Sequence, residues 1–164
     1  RNVRFLSEHG FRFFIGGGDM ATNTGPLYSP RIFRKMMLPR LQQISRVCHE
    51  CGGFVSFTSD GNLWSVADDL FGASGIDGYF EVDRRAGMDL GQLRQRFPNL
   101  TLVGNINSTD VAVLDRDAVV AQVRGCLEFA RSTTGVIVGA SNYLVPGTPP
   151  ENVLAVVDTI CQYR

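Results

Sequence analysis

Residues 78–107 read GYFEVDRRAGMDLGQLRQRFPNLTLVGNIN. The stretch begins with a short apolar run, passes into a polar segment in which Asp89 is suited to cap a helix, and reaches a second apolar run after Pro98. No hairpin dipeptide such as Asn-Gly joins the two runs, which favours a helical crossover between parallel strands. The stretch therefore predicts one strand–helix–strand unit of an α/β fold.

The same alternation of a short apolar run and a helical pattern recurs along the chain. The predicted strands are residues 11–15, 54–57, 78–82, 100–103 and 136–138. The predicted helices are residues 31–50, 62–71, 89–97, 116–132 and 149–163. The runs are apolar on both faces, which predicts parallel strands covered on both sides. Two architectures fit this pattern: a doubly wound open sheet, and a (β/α)8 barrel of which only part is present.

Composition restricts the class of protein. The chain has 164 residues, with 16 Lys plus Arg against 16 Asp plus Glu, and no linker-like stretch divides it, so we expect one domain over residues 1–164. Zero net charge removes the basic surface that nucleic-acid binding needs, and no apolar run reaches the roughly 18 to 20 residues of a membrane span. We therefore expect small-molecule or protein partners.

The first ten residues, RNVRFLSEHG, are charged and have no apolar core of the kind found in secretory signals. This pattern predicts a cytoplasmic protein. The chain does not begin with methionine, which suggests an incomplete reading frame.

Motifs for nucleotide and metal chemistry are weak. The glycines at 16–18 are not followed by either phosphate-binding fingerprint, so we expect no nucleotide. Cys48 and Cys51 form a single C-x-x-C at the end of a predicted helix, and a zinc ribbon needs a second pair. His9 and His49 fall in predicted helical segments away from the strand ends. These residues give no reason to expect a bound metal or other cofactor.

Polar side chains collect where each predicted strand ends. In parallel α/β folds the functional site lies at the carboxyl ends of the strands, so these residues should share one rim. The candidate catalytic residues are Asp19, Asp60 and Glu81. The candidate substrate-binding residues are Asn23, Thr58, Asn62, Arg84, Arg85, Asn105, Asn107, Ser141 and Asn142. Aspartates in such positions also form turns and helix caps, which is the alternative interpretation.

The residue types leave several chemical roles open. A carboxylate at a strand end can act as a general acid or base, or accept hydrogen bonds from substrate N–H groups. Asp60, Glu81 and Asn142 could also form an oxygen-rich site for a hard cation. Arg84 and Arg85 could hold a substrate carboxylate or phosphate, or be a solvated surface pair.

Five separate segments resemble the uroporphyrinogen decarboxylase superfamily in order and spacing. They are residues 19–39 (DMATNTGPLYSPRIFRKMMLP), 59–62 (SDGN), 86–89 (AGMD), 104–107 (GNIN) and 146–153 (PGTPPENV). The superfamily includes the decarboxylase of haem biosynthesis and zinc- and corrinoid-linked methyltransferases, all built on a (β/α)8 barrel. The resemblance implies the carboxyl-terminal part of such a barrel, with about five strand–helix units.

The resemblance also implies a function, which is decarboxylation of a bound tetrapyrrole or similar small anionic substrate. Asp19 and Asp60 would then accept hydrogen bonds from pyrrole N–H groups or contact a reacting atom. Arg84 and Arg85 would hold carboxylates. The asparagines that would orient the ligand are Asn105, Asn107 and Asn142.

Two alternatives remain. The first is methyl transfer with zinc and a corrinoid protein; the positions that match the zinc ligands of those relatives are Thr58, Asp60 and the neighbourhood of Asn142, none of which is a soft ligand. The second is a non-catalytic binding or assembly module.

An incomplete barrel would expose two strand edges and an apolar interior. We therefore expect either a missing amino-terminal half or association with a second copy of the chain. We expect little or no activity from these 164 residues alone.

Overall fold

A computed structural model describes residues 2–163 and shows a five-stranded parallel sheet. Its strands, in spatial order, are β1 (Phe13–Gly17), β4 (Phe54–Thr58), β5 (Gly78–Val82), β6 (Thr101–Ile106) and β7 (Val136–Ala140). A separate antiparallel hairpin is formed by β2 (Ala21–Thr22) and β3 (Gly25–Pro26). The predicted α/β class with five parallel strands is confirmed.

Helices cover one face of the sheet. They are α1 (Asn2–Glu8), α2 (Pro30–Ile32), α3 (Leu38–Glu50), α4 (Leu90–Arg96), α5 (Ser108–Val113), α6 (Arg116–Ser132) and α7 (Pro150–Gln162). The main core lies between this layer and the sheet, where the strand residues Phe57, Tyr79 and Leu102 are buried with Leu41 of α3 and Leu93 of α4. No helix within residues 2–163 has the length and hydropathy to cross a bilayer.

Strand boundaries differ from the sequence predictions at the carboxyl ends. Strand β1 continues through two glycines to Gly17, which pairs in register with Thr58. A Cβ at Gly17 would collide with the backbone of Thr58, so the close approach of the two strands requires glycine. Strand β6 continues to Ile106 through residues that the sequence pattern places in a turn. Both extensions bring the polar residues that follow these strands closer to the carboxyl-terminal edge of the sheet, which forms the rim.

Two predicted helices are less regular than expected. The helix predicted over 31–50 contains a wide π-helical segment, Phe33–Met37, between α2 and α3. Pro39 has no N–H to donate to the preceding turn, which accounts for the change of hydrogen bonding just before it. The helix predicted over 62–71 is a 3-10 turn, Trp64–Val66, followed by a π-helical segment, Asp68–Ala73.

The second face of the sheet is exposed along its outer strands β1 and β7, so the prediction of strands covered on both sides fails there, whereas β4 and β6 are buried on both sides. Side chains alternate between faces along a strand, and on the face away from the helices those of the outer strands are exposed, whereas Ser56 and Val103 of the inner strands are buried. Phe13 is 51% exposed, Ile15 53% and Ile137 53%. Phe13 stacks on Phe54 of the neighbouring strand, with ring centroids 5.1 Å apart. We call this apolar surface the inner face; it comprises Phe13, Ile15, Phe54 and Ile137.

Candidate functional site

The carboxyl ends of the parallel strands bring several of the predicted residues to one rim. Asn142, which follows β7, donates a hydrogen bond from Nδ2 to Oδ2 of Asp60, which follows β4, at 3.1 Å. These residues are 82 positions apart in the chain. Thr58 Oγ1 donates to Glu81 Oε2 at 2.7 Å. Thr58, Asp60, Glu81 and Asn142 are therefore linked in two hydrogen-bonded pairs at the top of the sheet.

The backbone at Glu81 is unusual and aims its side chain. Glu81 has φ of 73°, a left-handed conformation that is rare for a residue with a side chain. It lies between Phe80 and Val82, where the register of β5 against β6 shifts. The bulge turns the carboxylate towards Thr58 of the adjacent strand, with which it makes the hydrogen bond.

Burial and like charge act together on two carboxyl groups of the rim. Partial burial raises the pKa of Asp60, and the neighbouring carboxylates of Asp19 and Asp83 raise it further, while the hydrogen bond from Asn142 lowers it. Burial also raises the pKa of Glu81; the hydrogen bond from Thr58 opposes this effect, and the charges of Asp60 and Asp19 add to it. The rim is thus a region of negative potential in which ionisation of these two groups is disfavoured.

The loop after β1 brings Asp19 and the hairpin against the Asp60 loop. The Met20 N–H donates to Ser59 Oγ at 3.1 Å, and the Asn62 N–H donates to the Thr22 carbonyl oxygen at 2.8 Å. A cavity of about 440 Å³ lies between the hairpin and this loop. Its lining includes Asn23 and Asp60. Asn23 therefore lies at the rim, whereas the side chain of Asn62 accepts a hydrogen bond from the Trp64 N–H at 3.1 Å.

Other predicted residues are held in structural contacts. Arg85 forms an ion pair with Asp110, with 2.8 Å between Nη2 and Oδ1. The Asn107 side chain accepts from the Asp110 N–H at 3.0 Å and caps α5. Asn105 is buried with φ of 82°, and its Nδ2 donates to the Val82 carbonyl oxygen at 3.4 Å. These contacts fit the sequence alternative in which polar residues after strands form caps and turns.

Arg84 and Ser141 differ from that group. Arg84 is exposed, and the structure describes no ion pair for it among residues 2–163. Ser141 is buried, and its N–H donates to the Ile106 carbonyl oxygen at 2.7 Å, which fixes the start of the loop that carries Asn142. Arg84 is thus the better placed of the two adjacent arginines to meet an anion.

Asp83 is a member of the rim that was not among the predicted site residues. Its carboxylate accepts hydrogen bonds from the backbone N–H groups of Gly61, Arg85 and Ala86, at 3.0 to 3.3 Å. It therefore holds the Asp60 loop against the turn after β5. Its place in the sequence, directly after the end of β5, was the signal that could have identified it.

The donor set of the rim does not suit zinc. Among residues 2–163 no cluster of three or more His, Cys, Asp or Glu side chains is arranged to hold a metal ion. Thr58, Asp60 and Asn142 offer no thiolate or imidazole, which are the usual ligands of zinc in such sites. Cys48 is buried, and burial raises the pKa of its thiol, with smaller contributions from Cys51 and Asp77.

The fold and the rim define an α/β protein whose parallel strands carry a group of acidic side chains at their carboxyl ends. Residues 18–163 match the uroporphyrinogen decarboxylase (URO-D) family, and the chain belongs to that family. The resemblance inferred from the sequence segments is confirmed.

Two known proteins show the extent of the similarity. A uroporphyrinogen decarboxylase from Anaeromyxobacter dehalogenans (strain 2CP-C) is 37% identical over 79 residues, which are 48% of this chain and 22% of that protein. A methyltransferase from Methanosarcina mazei superposes with a TM-score of 0.75 at 22% identity, over 98% of this chain and 45% of that chain. The similarity to the methyltransferase concerns the fold alone. The chain spans less than half the length of either protein.

The raised pKa of Glu81 predicts a pH-dependent effect of Glu81→Gln on stability. At a pH above the pKa of Glu81 in both the folded and the unfolded chain, the group is ionised in both states, and its partial burial destabilises the folded state. Below the pKa in the unfolded chain, about 4.3, the group is protonated in both states and this destabilisation disappears. Glutamine can still accept the hydrogen bond from Thr58. We expect Glu81→Gln to have a higher urea midpoint than the wild type at pH 8, and the difference to close as the pH falls towards about 4.

The matched control is Glu128→Gln, on an exposed position of α6. Its urea midpoint should stay close to that of the wild type at each pH. A Glu81→Gln protein that is less stable than the wild type at pH 8 would contradict the assignment of a desolvation cost to Glu81.

Proposed function

We propose that this rim binds a tetrapyrrole or a similar small anionic substrate and supports its decarboxylation. The observation that carries the proposal is the proximity of three acids at the carboxyl ends of the strands: the charge of Asp19 raises the pKa of both Asp60 and Glu81, and the charge of Asp60 raises the pKa of Glu81. Membership of the uroporphyrinogen decarboxylase family supports the choice of reaction.

The electrostatics of the rim suit a reaction that passes through a cation. Protonation of a pyrrole ring carbon creates a positive charge, and the electron pair of the C–CO2 bond neutralises it as CO2 leaves. The remaining side-chain carbon then takes up a proton, and the ring carbon releases the proton that it gained in the first step. When a cation forms beside a carboxylate, the ionised carboxylate is stabilised, and this stabilisation is largest where burial and like charges disfavour ionisation. Asp60 has these properties, since burial, Asp19 and Asp83 all raise its pKa.

Substrate carboxylates need a positive partner away from the acids. Arg84 supplies this partner, because it is exposed and the structure describes no ion pair for it among residues 2–163. Arg85 is committed to Asp110 and contributes less. Asp19, Asn23 and one oxygen of Asp60 would then face the pyrrole N–H groups, as acceptors of hydrogen bonds.

The inner face needs a partner of its own. We propose that a second copy of the chain covers it, because Phe13, Ile15 and Ile137 are each more than half exposed and the outer edges of β1 and β7 have no paired strand within residues 2–163. Burial of apolar surface is worth about 25 cal/mol per Å2, and pairing removes two unsatisfied strand edges.

The decarboxylation proposal predicts that Asp60→Asn loses turnover but keeps binding. Asparagine retains the shape of the side chain but cannot carry the negative charge that stabilises a cation, so kcat should fall on the order of 10²-fold or more. The measurement is conversion of uroporphyrinogen under reducing conditions by the whole protein, with binding of uroporphyrin followed by fluorescence. Asp158→Asn, on an exposed position of α7, is the control and should leave both unchanged.

The outcomes of these measurements distinguish decarboxylation from methyl transfer and from a non-catalytic module. Turnover that is unaffected by Asp60→Asn contradicts the proposed role of the carboxylate. Binding without turnover by any form of the protein favours a non-catalytic module, and stoichiometric zinc in elemental analysis favours methyl transfer.

The association proposal predicts a molar mass above that of one chain in light scattering at micromolar concentration. Ile15→Ser removes apolar surface from the inner face and should shift the protein towards the monomer. Val157→Ser, which removes a residue of similar exposure from the outer surface of α7, should leave the mass unchanged. A wild-type protein that is monomeric at every concentration tested would refute the association.

A further inference from the structure

The side-chain amide of Asn142 is held at both ends. Its Nδ2 donates to Asp60 Oδ2 at 3.1 Å, and its Oδ1 accepts from the Tyr143 N–H at 2.7 Å. If the amide were turned over, its oxygen would face the carboxylate and its nitrogen would face an N–H group. Both contacts would then be repulsive, so the network allows one orientation.

We propose that Asn142 is a positioning residue: it fixes one oxygen of the Asp60 carboxylate and leaves the other turned towards the mouth of the site. The sequence suggested that Asn142 orients the ligand directly, whereas here its carbonyl oxygen and one N–H are already engaged. Asn142 donates to Oδ2, and among residues 2–163 no other residue donates a hydrogen bond to either oxygen of the Asp60 carboxylate. This inference rests on the function proposed above, in which Asp60 acts on the substrate.

The Asn142 end of the contact is anchored to the sheet. Ser141 is 3% exposed, and its N–H donates to the Ile106 carbonyl oxygen at 2.7 Å. Ala140, the residue before it, pairs in register with Ile106 at the end of β6. Asn142 is thus two residues beyond the sheet, and its position follows from strand pairing.

The Asp60 end is equally constrained. The Gly61 N–H donates to Asp83 Oδ2 at 3.3 Å, and Ser59 Oγ donates to the Asp60 carbonyl oxygen at 2.9 Å. Gly61 has φ of 80°, and a Cβ there would lie 2.8 Å from Ala21 of the hairpin. Because both partners are fixed by their own loops, the hydrogen bond between them selects one orientation of the carboxylate instead of following a mobile side chain.

The charges around Asp60 explain why such a donor is needed. The ionisable groups that interact electrostatically with Asp60 are the carboxyls of Asp19, Glu81 and Asp83 and the phenol of Tyr79. None of them is positive, and the acids repel an ionised Asp60. A neutral amide holds the ionised carboxylate in place without cancelling its charge, so the charge remains available to a cationic intermediate. A lysine or arginine in the same place would cancel it.

The test compares Asn142→Ala with the wild type by side-chain carboxyl NMR. Loss of the amide donor should move the titration midpoint of Asp60 upward, because the donor favours the ionised form. Asn142→Asp should move it further in the same direction, since it adds a like charge. Asn99→Ala, on an exposed residue at the opposite end of the sheet, is the control and should leave the midpoint unchanged.

A merely structural role would give a different result. If Asn142 only supports its own loop, Asn142→Ala lowers the urea midpoint and leaves the Asp60 titration where it was, which overturns the proposal. The reciprocal measurement uses Asp60→Asn. Replacing the charged acceptor by a neutral one should shift the Asn142 side-chain amide proton upfield, and an unmoved signal counts against the contact.

The titration needs folded protein and no turnover, so it separates this proposal from the function on which it rests. A shifted Asp60 midpoint without any decarboxylation supports the positioning role and argues against the reaction. Where turnover is measured, Asn142→Ala should lower kcat roughly tenfold or more with little change in KM, because it misplaces a group that acts in the transition state. A change in KM alone overturns the positioning role and indicates direct substrate contact.

Discussion

Parallel pairing of the five strands is the constraint on which the rim depends. Each strand ends at the same edge of the sheet, so residues that follow different strands meet although they are far apart in the chain. One register relation is enough to show this: Thr58 is opposite Phe80, which puts the next residue of β5, Glu81, within reach of its hydroxyl. Reversal of a single strand would move its loop to the opposite edge.

The two strained residues lie where this edge is built. Glu81 and Asn105 have φ of 73° and 82° and belong to the neighbouring strands β5 and β6. Each such conformation costs of the order of 1–3 kcal/mol and persists only where its surroundings enforce it. At Glu81 the strain turns a carboxylate towards Thr58, and at Asn105 it places an amide against the Val82 carbonyl oxygen. These two conformations therefore destabilise the folded state at the rim, which is the location of the proposed reaction.

The sequence predicts the rim because strand order and direction follow from repeated local patterns. It does not predict which residues touch there. The contact between Asn142 and Asp60 depends on two loop geometries set by Ser141 and Gly61. Asp60-Gly61 predicts a turn, but no local pattern shows that the two side chains meet. The exposure of the inner face along β1 and β7 was also missed, because an apolar run has the same pattern whether its second face meets protein or solvent.

The central claim is that the acids after different strands share one mouth. Its most direct test is the titration of the Asp60 carboxyl group in the wild type and in Asp19→Asn, followed by NMR. The charge of Asp19 raises the pKa of Asp60, after the larger effect of burial, so the account predicts a lower midpoint in Asp19→Asn. An Asp60 midpoint that does not move when Asp19 loses its charge would show that the two residues are too far apart to form one site.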